Sequence, residues 1–94
     1  MVSVKPIQPE KQQFAETGHS EARFLVLHND EVNTFDHVIE SLVDVCGHLP
    51  EQAEQCAFFA HFKGKCDVKK GTYEFLEPYK SELYQRGLTV TIDG

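Results

Sequence analysis

Polar side chains follow an apolar run near the start of the chain. Residues 24–27 are apolar, Asn29, Asp30 and Glu31 come soon after, and a helix start follows at Thr34. A strand that ends in an amide and two acids places fixed hydrogen-bond acceptors at its end, and such acceptors suit the binding of a small cation beside an apolar cavity. The alternative is an ordinary turn, because Asn and Asp commonly accept hydrogen bonds from their own backbone.

A histidine in a second segment could take part in the same chemistry. His61 lies in a run from Ala53 to Lys65 that is rich in small residues at helical spacing and contains Gly64. A neutral imidazole nitrogen can accept a hydrogen bond from a cation, and it loses that ability when it is protonated. The alternative is a histidine that packs at the edge of the core beside Ala60.

The first half of the chain predicts the elements that would position these residues. Residues 23–27 predict a strand, and residues 24–27 are apolar on both of its faces, which is typical of the central strand of a sheet. Thr34 is a good N-cap, and Gly47 is placed to end the helix that follows. A second helix begins near Pro50, a favourable residue for the first helical position, and Gly64 stops it.

The second half predicts a strand and a helix. Residues 66–69 alternate apolar and polar side chains, as in a half-buried strand. Thr72 caps a third helix that Gly87 ends. Pro78 lies too far inside to be the first helical residue, so this helix either kinks there or begins its regular part near Glu77.

The element order is completed by a last strand, residues 88–92. The order β-α-α-β-α-β with three strands predicts an α+β fold, in which a three-stranded antiparallel sheet has three helices packed on one face. Residues 1–22 are polar, contain two prolines and show no period, so we expect a flexible N-terminal arm before one folded domain, residues 23–94.

Composition excludes several classes of function. The 94 residues carry a net charge of −6, which disfavours nucleic acid binding. No apolar run approaches the ~20 residues that span a bilayer, and the N-terminus lacks the apolar block of a signal peptide. Three cysteines without a CxxC spacing are typical of reduced, buried thiols. We therefore expect a cytoplasmic monomer that binds neither membranes nor cofactors.

Two other chemistries have weak support. A metal site would draw on the histidines and cysteines, but their spacings match no metal motif. These residues are His19, His28, His37, His48, His61, Cys46, Cys56 and Cys66. A cysteine hydrolase needs a thiolate beside a histidine. Cys66 is near His61 in sequence, but its strand position predicts a core residue.

The two motifs together resemble the ClpS family, adaptors that hand proteins to a Clp unfoldase–protease by binding their first residue. The family pattern is a short apolar strand, an Asn-Asp-Asp run, a polar turn and a helix, followed by a small-residue helix with one histidine. Residues 25–35 and 53–65 match this pattern, and Asn29 and His61 stand 32 positions apart, as in the family. The resemblance covers residues 24–93.

The resemblance implies a pocket for an N-terminal residue of the Leu, Phe, Tyr or Trp class. Asn29, Asp30, Glu31 and His61 would receive the free α-ammonium. The side-chain pocket would be formed by Leu27, Asn33, Phe35, Val38, Ala57, Ala60 and Leu88.

Three of these positions depart from the family pattern. Glu31 stands for a second Asp, and Phe35 and Ala57 each stand for a Met, so we hypothesise that Phe35 partly fills the space beside Ala57.

The resemblance also implies partners. These are proteins that carry such an N-terminal residue, and the N-terminal domain of a ClpA- or ClpC-like AAA+ unfoldase. Docking on the unfoldase would use Glu74 and the region of Tyr79 and Lys80, where Pro78 interrupts the usual pattern, and the N-terminal arm would assist hand-over. The alternative function is a diverged module that docks on an unfoldase or another protein without reading N-termini.

Overall fold

The computed structural model describes residues 21–94, and its secondary structure begins at Arg23. The elements in chain order are β1 (Arg23–His28), α1 (Phe35–Cys46), α2 (Pro50–Lys63), β2 (Lys65–Gly71), α3 (Tyr73–Gln85) and β3 (Val90–Asp93). The predicted flexible arm, residues 1–22, lies outside the described residues except for its last two positions. None of the helices within residues 21–94 has the length and apolar character of a membrane span.

The sheet is antiparallel throughout and has the strand order β2-β1-β3, so β1 is the central strand, as its apolar sequence predicts. Leu25 and Leu27 of β1 are 0% and 2% exposed and belong to the same core cluster as Leu42, Leu76 and Leu83 of the helices. The predicted α+β fold, with three helices on one face of a three-stranded sheet, is confirmed.

Capping residues define where the helices begin and end. The Thr34 hydroxyl accepts a hydrogen bond from the backbone N–H of His37 at 3.1 Å, and the Thr72 hydroxyl accepts one from that of Phe75 at 3.1 Å. Gly47 ends α1 in the left-handed conformation, with φ of 73°. Each cap satisfies a backbone group that the helix itself leaves unpaired.

Helix α3 runs without interruption through Pro78, so the predicted late start near Glu77 is wrong. Proline has no N–H to donate to the carbonyl of Glu74, four residues earlier. Glu74, Glu77 and Pro78 are all exposed, so the missing hydrogen bond lies on the side of the helix that faces solvent. The inner face of the helix, with Leu76 and Leu83 fully buried, holds it against the sheet.

Candidate functional site

The end of β1 lies beside the end of α2. The backbone N–H of Asn29 donates to the carbonyl of Gly64 at 2.9 Å, and the N–H of His28 donates to the carbonyl of Thr89 at 2.8 Å. Gly64 has a φ of 100°, a conformation that favours glycine. The strand end is therefore held between α2 on one side and the residues that lead into β3 on the other.

A cavity of about 460 Å³ opens at this junction. It is lined by the end of β1, the loop that follows, the start of α1 and the inner face of α2: Leu27, His28, Asn29, Asp30, Glu31, Asn33, Thr34, Phe35, Val38, Ala57, Ala60 and His61. All the residues predicted to bind the α-ammonium or to form the side-chain pocket line it, except Leu88, which is 2% exposed within the core. The roles assigned to these residues stay predictions.

The cavity has an apolar floor and a polar mouth. Leu27, Ala57 and Ala60 are buried, and the two alanines leave space between α1 and α2 because their side chains end at Cβ. Asn29 and His61, at the mouth, are exposed. The volume lies within the range of about 300–1,000 Å³ that is typical of sites for small ligands.

Asp30 holds the loop rather than facing open solvent. Its Oδ1 accepts hydrogen bonds from the backbone N–H groups of Val32 at 3.0 Å and Asn33 at 2.9 Å. Its Oδ2 accepts from the Asn33 side-chain amide at 3.0 Å and from the Thr89 hydroxyl at 3.2 Å. Burial pushes the pKa of Asp30 upward, but these hydrogen bonds outweigh it and hold the pKa below the ordinary value of an aspartate. Asp30 therefore has the geometry of a turn residue, which accepts hydrogen bonds from the backbone that follows it.

Asn33 connects the same loop to the end of α3. Its side-chain amide donates to the carbonyl of Gly87 at 2.9 Å, in addition to its contacts with Asp30. The side-chain N–H groups of Asn33 therefore donate within the protein, and these hydrogen bonds fix the orientation of the side chain in the cavity wall.

The electrostatics of the mouth favour a cation. Asp30 and Glu31 are among the residues that line the cavity, and both are acidic. The carbonyl end of α2 also lies here, and the end of a helix carries a partial negative charge. His61 and Lys63 occupy the last turn of α2 and oppose this effect when they are protonated. A neutral His61 beside ionised Asp30 and Glu31 gives the most favourable field for an ammonium group.

Phe35 forms part of the rim, between α1 and α2. Its ring centroid lies 4.9 Å from that of Phe58 and 5.2 Å from that of His61, and the side chain is 38% exposed. The cavity stays open beside Ala57 with Phe35 in this position. The contact with Phe58 was not predicted from the sequence, because it depends on how closely the two helices approach.

Two further lining residues were not predicted. His28 lines the cavity while its Nε2 lies 2.7 Å from the Thr91 hydroxyl. Thr34 lines it as well as capping α1. The sequence showed Thr34 as a cap, and no separate signal marked it as part of the cavity wall.

The residues predicted to dock on an unfoldase lie on α3, away from the cavity. Glu74 is exposed and Lys80 is half-buried. Tyr79 packs against the core, and the Lys69 ammonium lies 4.8 Å from the centre of its ring. Tyr79 therefore already has partners within the domain, and Glu74 is the more accessible of the three.

The cysteines do not have the properties of catalytic thiols. Burial raises the pKa of the Cys46 and Cys56 thiols, and burial together with contacts to Cys56 raises the pKa of Cys66 to about 12. Such thiols are poor sources of the thiolate that a cysteine hydrolase needs. Among residues 21–94, no group of three or more His, Cys, Asp or Glu side chains could hold a metal ion.

Comparison with known proteins identifies the family. Residues 19–91 match the model of the ATP-dependent Clp protease adaptor protein ClpS. The chain belongs to the ClpS family. It is similar to the ATP-dependent Clp protease adapter protein ClpS of Thermosynechococcus vestitus, with 32% identity over 91 residues that cover 96% of this chain and 94% of that protein. The resemblance found in the sequence is thus confirmed, and with it the coarse function of an adaptor for Clp protease.

A solved ClpS structure has the same fold. The structure of Agrobacterium tumefaciens ClpS2 bound to L-phenylalaninamide matches with a TM-score of 0.72 and 17% identity, and the match covers 80% of this chain and 98% of that one. At this identity the likeness shows that the ClpS fold is shared.

Proposed function

We propose that this ClpS-family chain works in the cytoplasm and binds the first residue of other proteins. It recognises the free α-ammonium together with a bulky apolar side chain of the Leu, Phe, Tyr or Trp class, and it delivers the bound protein to a Clp AAA+ unfoldase. The observation that carries this proposal is that one cavity combines an acidic, hydrogen-bonding mouth with a buried apolar floor. The ClpS2 relative that was solved with L-phenylalaninamide, an amino acid amide with a free amine, supports it.

The mouth residues have distinct roles in this proposal. The side-chain oxygen of Asn29 and a ring nitrogen of His61 accept hydrogen bonds from the ammonium, and Glu31 supplies negative charge. Asp30 attracts the ammonium by its negative charge without a direct hydrogen bond, because its oxygens already accept hydrogen bonds from the loop and from Thr89. Asp30 therefore acts mainly by positioning the loop.

The energetics require both halves of the cavity. Burial of one bulky apolar side chain contributes about 1.5–3 kcal/mol. Each hydrogen bond to a charged group contributes roughly 1.5–3 kcal/mol. Micromolar affinity corresponds to about −8 kcal/mol after the losses of association, so neither half suffices alone. A peptide with an acetylated terminus has no ammonium and should not bind.

Delivery requires contact with the unfoldase. We propose that exposed Glu74, with Lys80, contacts the N-terminal domain of a ClpA- or ClpC-like unfoldase, and that the N-terminal arm assists hand-over. This face lies on α3, so the adaptor can hold a substrate in the cavity and the unfoldase at the same time.

A pair of peptides that differ only at the amino group tests the proposal. A peptide that begins with Leu should bind with micromolar affinity in calorimetry, whereas its acetylated twin should bind at least about 100-fold more weakly, since loss of about 3 kcal/mol corresponds to that factor. Asn29→Ala should reduce the difference between the two peptides. The exposed α3 variant Gln85→Ala, a matched control, should leave it unchanged. Equal binding of the two peptides would refute recognition of N-termini and favour the diverged interaction module.

A further inference from the structure

Three exposed phenylalanines of α2 form a surface that the proposed function does not use. Phe58, Phe59 and Phe62, here called the aromatic strip, are 44%, 52% and 72% exposed. The rings of Phe58 and Phe62 stack, with centroids 6.1 Å apart and an interplanar angle of 9°. Together with Gln55 and Lys63 the strip lines a second, shallow groove of about 370 Å³.

The aromatic strip is continuous with the rim of the cavity. Phe58 contacts Phe35, and Phe62 contacts His61 edge-on with ring centroids 4.9 Å apart. Phe35 and His61 both line the cavity. A chain that leaves the cavity over this rim therefore meets an apolar surface within one or two residues, since successive Cα atoms are 3.8 Å apart.

We propose that the aromatic strip binds the side chain of one of the two residues that follow the first residue of a substrate. The adaptor then selects among proteins with the same first residue and favours those with an aromatic or large aliphatic side chain at position two or three. This inference rests on the proposed function, because it places the first residue in the cavity.

The size of the strip favours a peptide over a second copy of the chain. A whole aromatic side chain offers about 200 Å², so the exposed fractions correspond to roughly 340 Å². A stable interface between proteins buries about 800 Å² on each partner. The strip suffices for one or two side chains of a peptide, whereas a dimer would need a much larger surface.

Peptides that share a first residue test this selection. The series begins Leu-Gly-Gly, Leu-Phe-Gly or Leu-Gly-Phe with a common remainder, and each affinity is measured by calorimetry with the full chain. Aromatic contacts of this kind are worth a factor of about 3–10, so at least one Phe peptide should bind that much more tightly than Leu-Gly-Gly. In the double variant Phe58→Ser, Phe62→Ser the peptides should bind alike, at the affinity of Leu-Gly-Gly.

Controls separate this inference from the proposed function. Tyr84→Ser removes a 71% exposed aromatic side chain from α3 and should keep the preference. Equal affinities for the three peptides in the original chain, with discrimination against acetylated Leu-Gly-Gly retained, would overturn the inference and leave the proposed function intact. Failure of every free peptide to bind would overturn both.

Self-association is measured in the same samples. Sedimentation should show a monomer at the concentrations used for binding. A dimer that disappears in the double variant would show that a second copy covers the strip, and it would overturn the inference. The peptide series is measured on the unaltered chain, so its result decides the inference even if the double variant fails to fold.

Discussion

Replacement of Asp30 separates positioning of the loop from direct contact with the ligand. We predict that Asp30→Ala weakens binding of a Leu-first peptide about tenfold, whereas Asp30→Asn weakens it no more than about threefold. The reason is the geometry of the carboxylate, which accepts hydrogen bonds from two backbone N–H groups and from the side chains of Asn33 and Thr89.

The size of the predicted affinity loss depends on how many of the donors to Asp30 are shielded from water. A hydrogen bond contributes about 1 kcal/mol net, and water replaces it readily at an exposed donor. Val32 is 88% exposed and Thr89 is exposed, so their bonds contribute little. Asn33 is half-buried, and the bonds from its backbone N–H and from its side-chain amide, which reaches both carboxylate oxygens, leave about 1–2 kcal/mol, equivalent to a factor of roughly 5–30. Asparagine keeps an oxygen at the Oδ1 position, where both backbone N–H groups converge, and so keeps most of the loop.

Calorimetric titration at pH 7 measures the affinities, and thermal unfolding of each variant shows whether the domain stays folded. If Asp30→Asn lost as much affinity as Asp30→Ala, the charge of Asp30 would contact the ammonium directly and the positioning role would be wrong. If Asp30→Ala retained full affinity, the loop would not depend on this carboxylate at all.

Three further predictions concern Asp30, His61 and the helix caps. Hydrogen bonds hold the pKa of Asp30 below its ordinary value in the folded state, so the stabilisation by its carboxylate should be fully present above about 3.9 and be lost as the pH falls through the lower pKa of the folded state. The difference in melting temperature between the original chain and Asp30→Asn should therefore be constant from pH 7 to 5 and shrink at lower pH. His61→Ala should weaken binding of a Leu-first peptide about tenfold, because the mouth of the cavity loses one hydrogen-bond acceptor for the ammonium; unchanged affinity in the variant would exclude this role for His61. Thr34→Ala and Thr72→Ala should each lower the free energy of unfolding by about 1 kcal/mol in urea titrations, and a loss below about 0.3 kcal/mol would contradict the capping geometry.

The fold could be predicted because the local signals agree with one another. Thr34, Gly47 and Thr72 are all capping residues, and each performs its predicted role. The prediction that α3 starts late was wrong because it considered only the hydrogen bond that Pro78 cannot make, and not the packing of the helix. The burial of Leu76 and Leu83 outweighs that loss, and both Glu74 and Pro78, between which the hydrogen bond is missing, are exposed residues.

Most of the residues that line the cavity could be predicted from the sequence, but the directions of their side chains could not. The spacing of Asn29 and His61 indicated the two segments that meet, and both residues line the cavity. The direction of the Asp30 carboxylate could not be derived, because a turn and a ligand site share the same local pattern. The contact between Phe35 and Phe58 depends on the distance between two helices, which no single segment encodes.

The bond from Asn29 to Gly64 has a consequence for genetics. Position 64 has open space around it, so a larger side chain would fit there without a clash, yet its left-handed backbone would be strained by any residue that carries a Cβ. A random screen for variants with weakened substrate binding should therefore recover substitutions of Gly64, although Gly64 itself need not contact the substrate. Such variants would keep their helices, but the Gly64 carbonyl that holds the end of β1 would move. Their phenotype would resemble that of a substitution in the cavity wall.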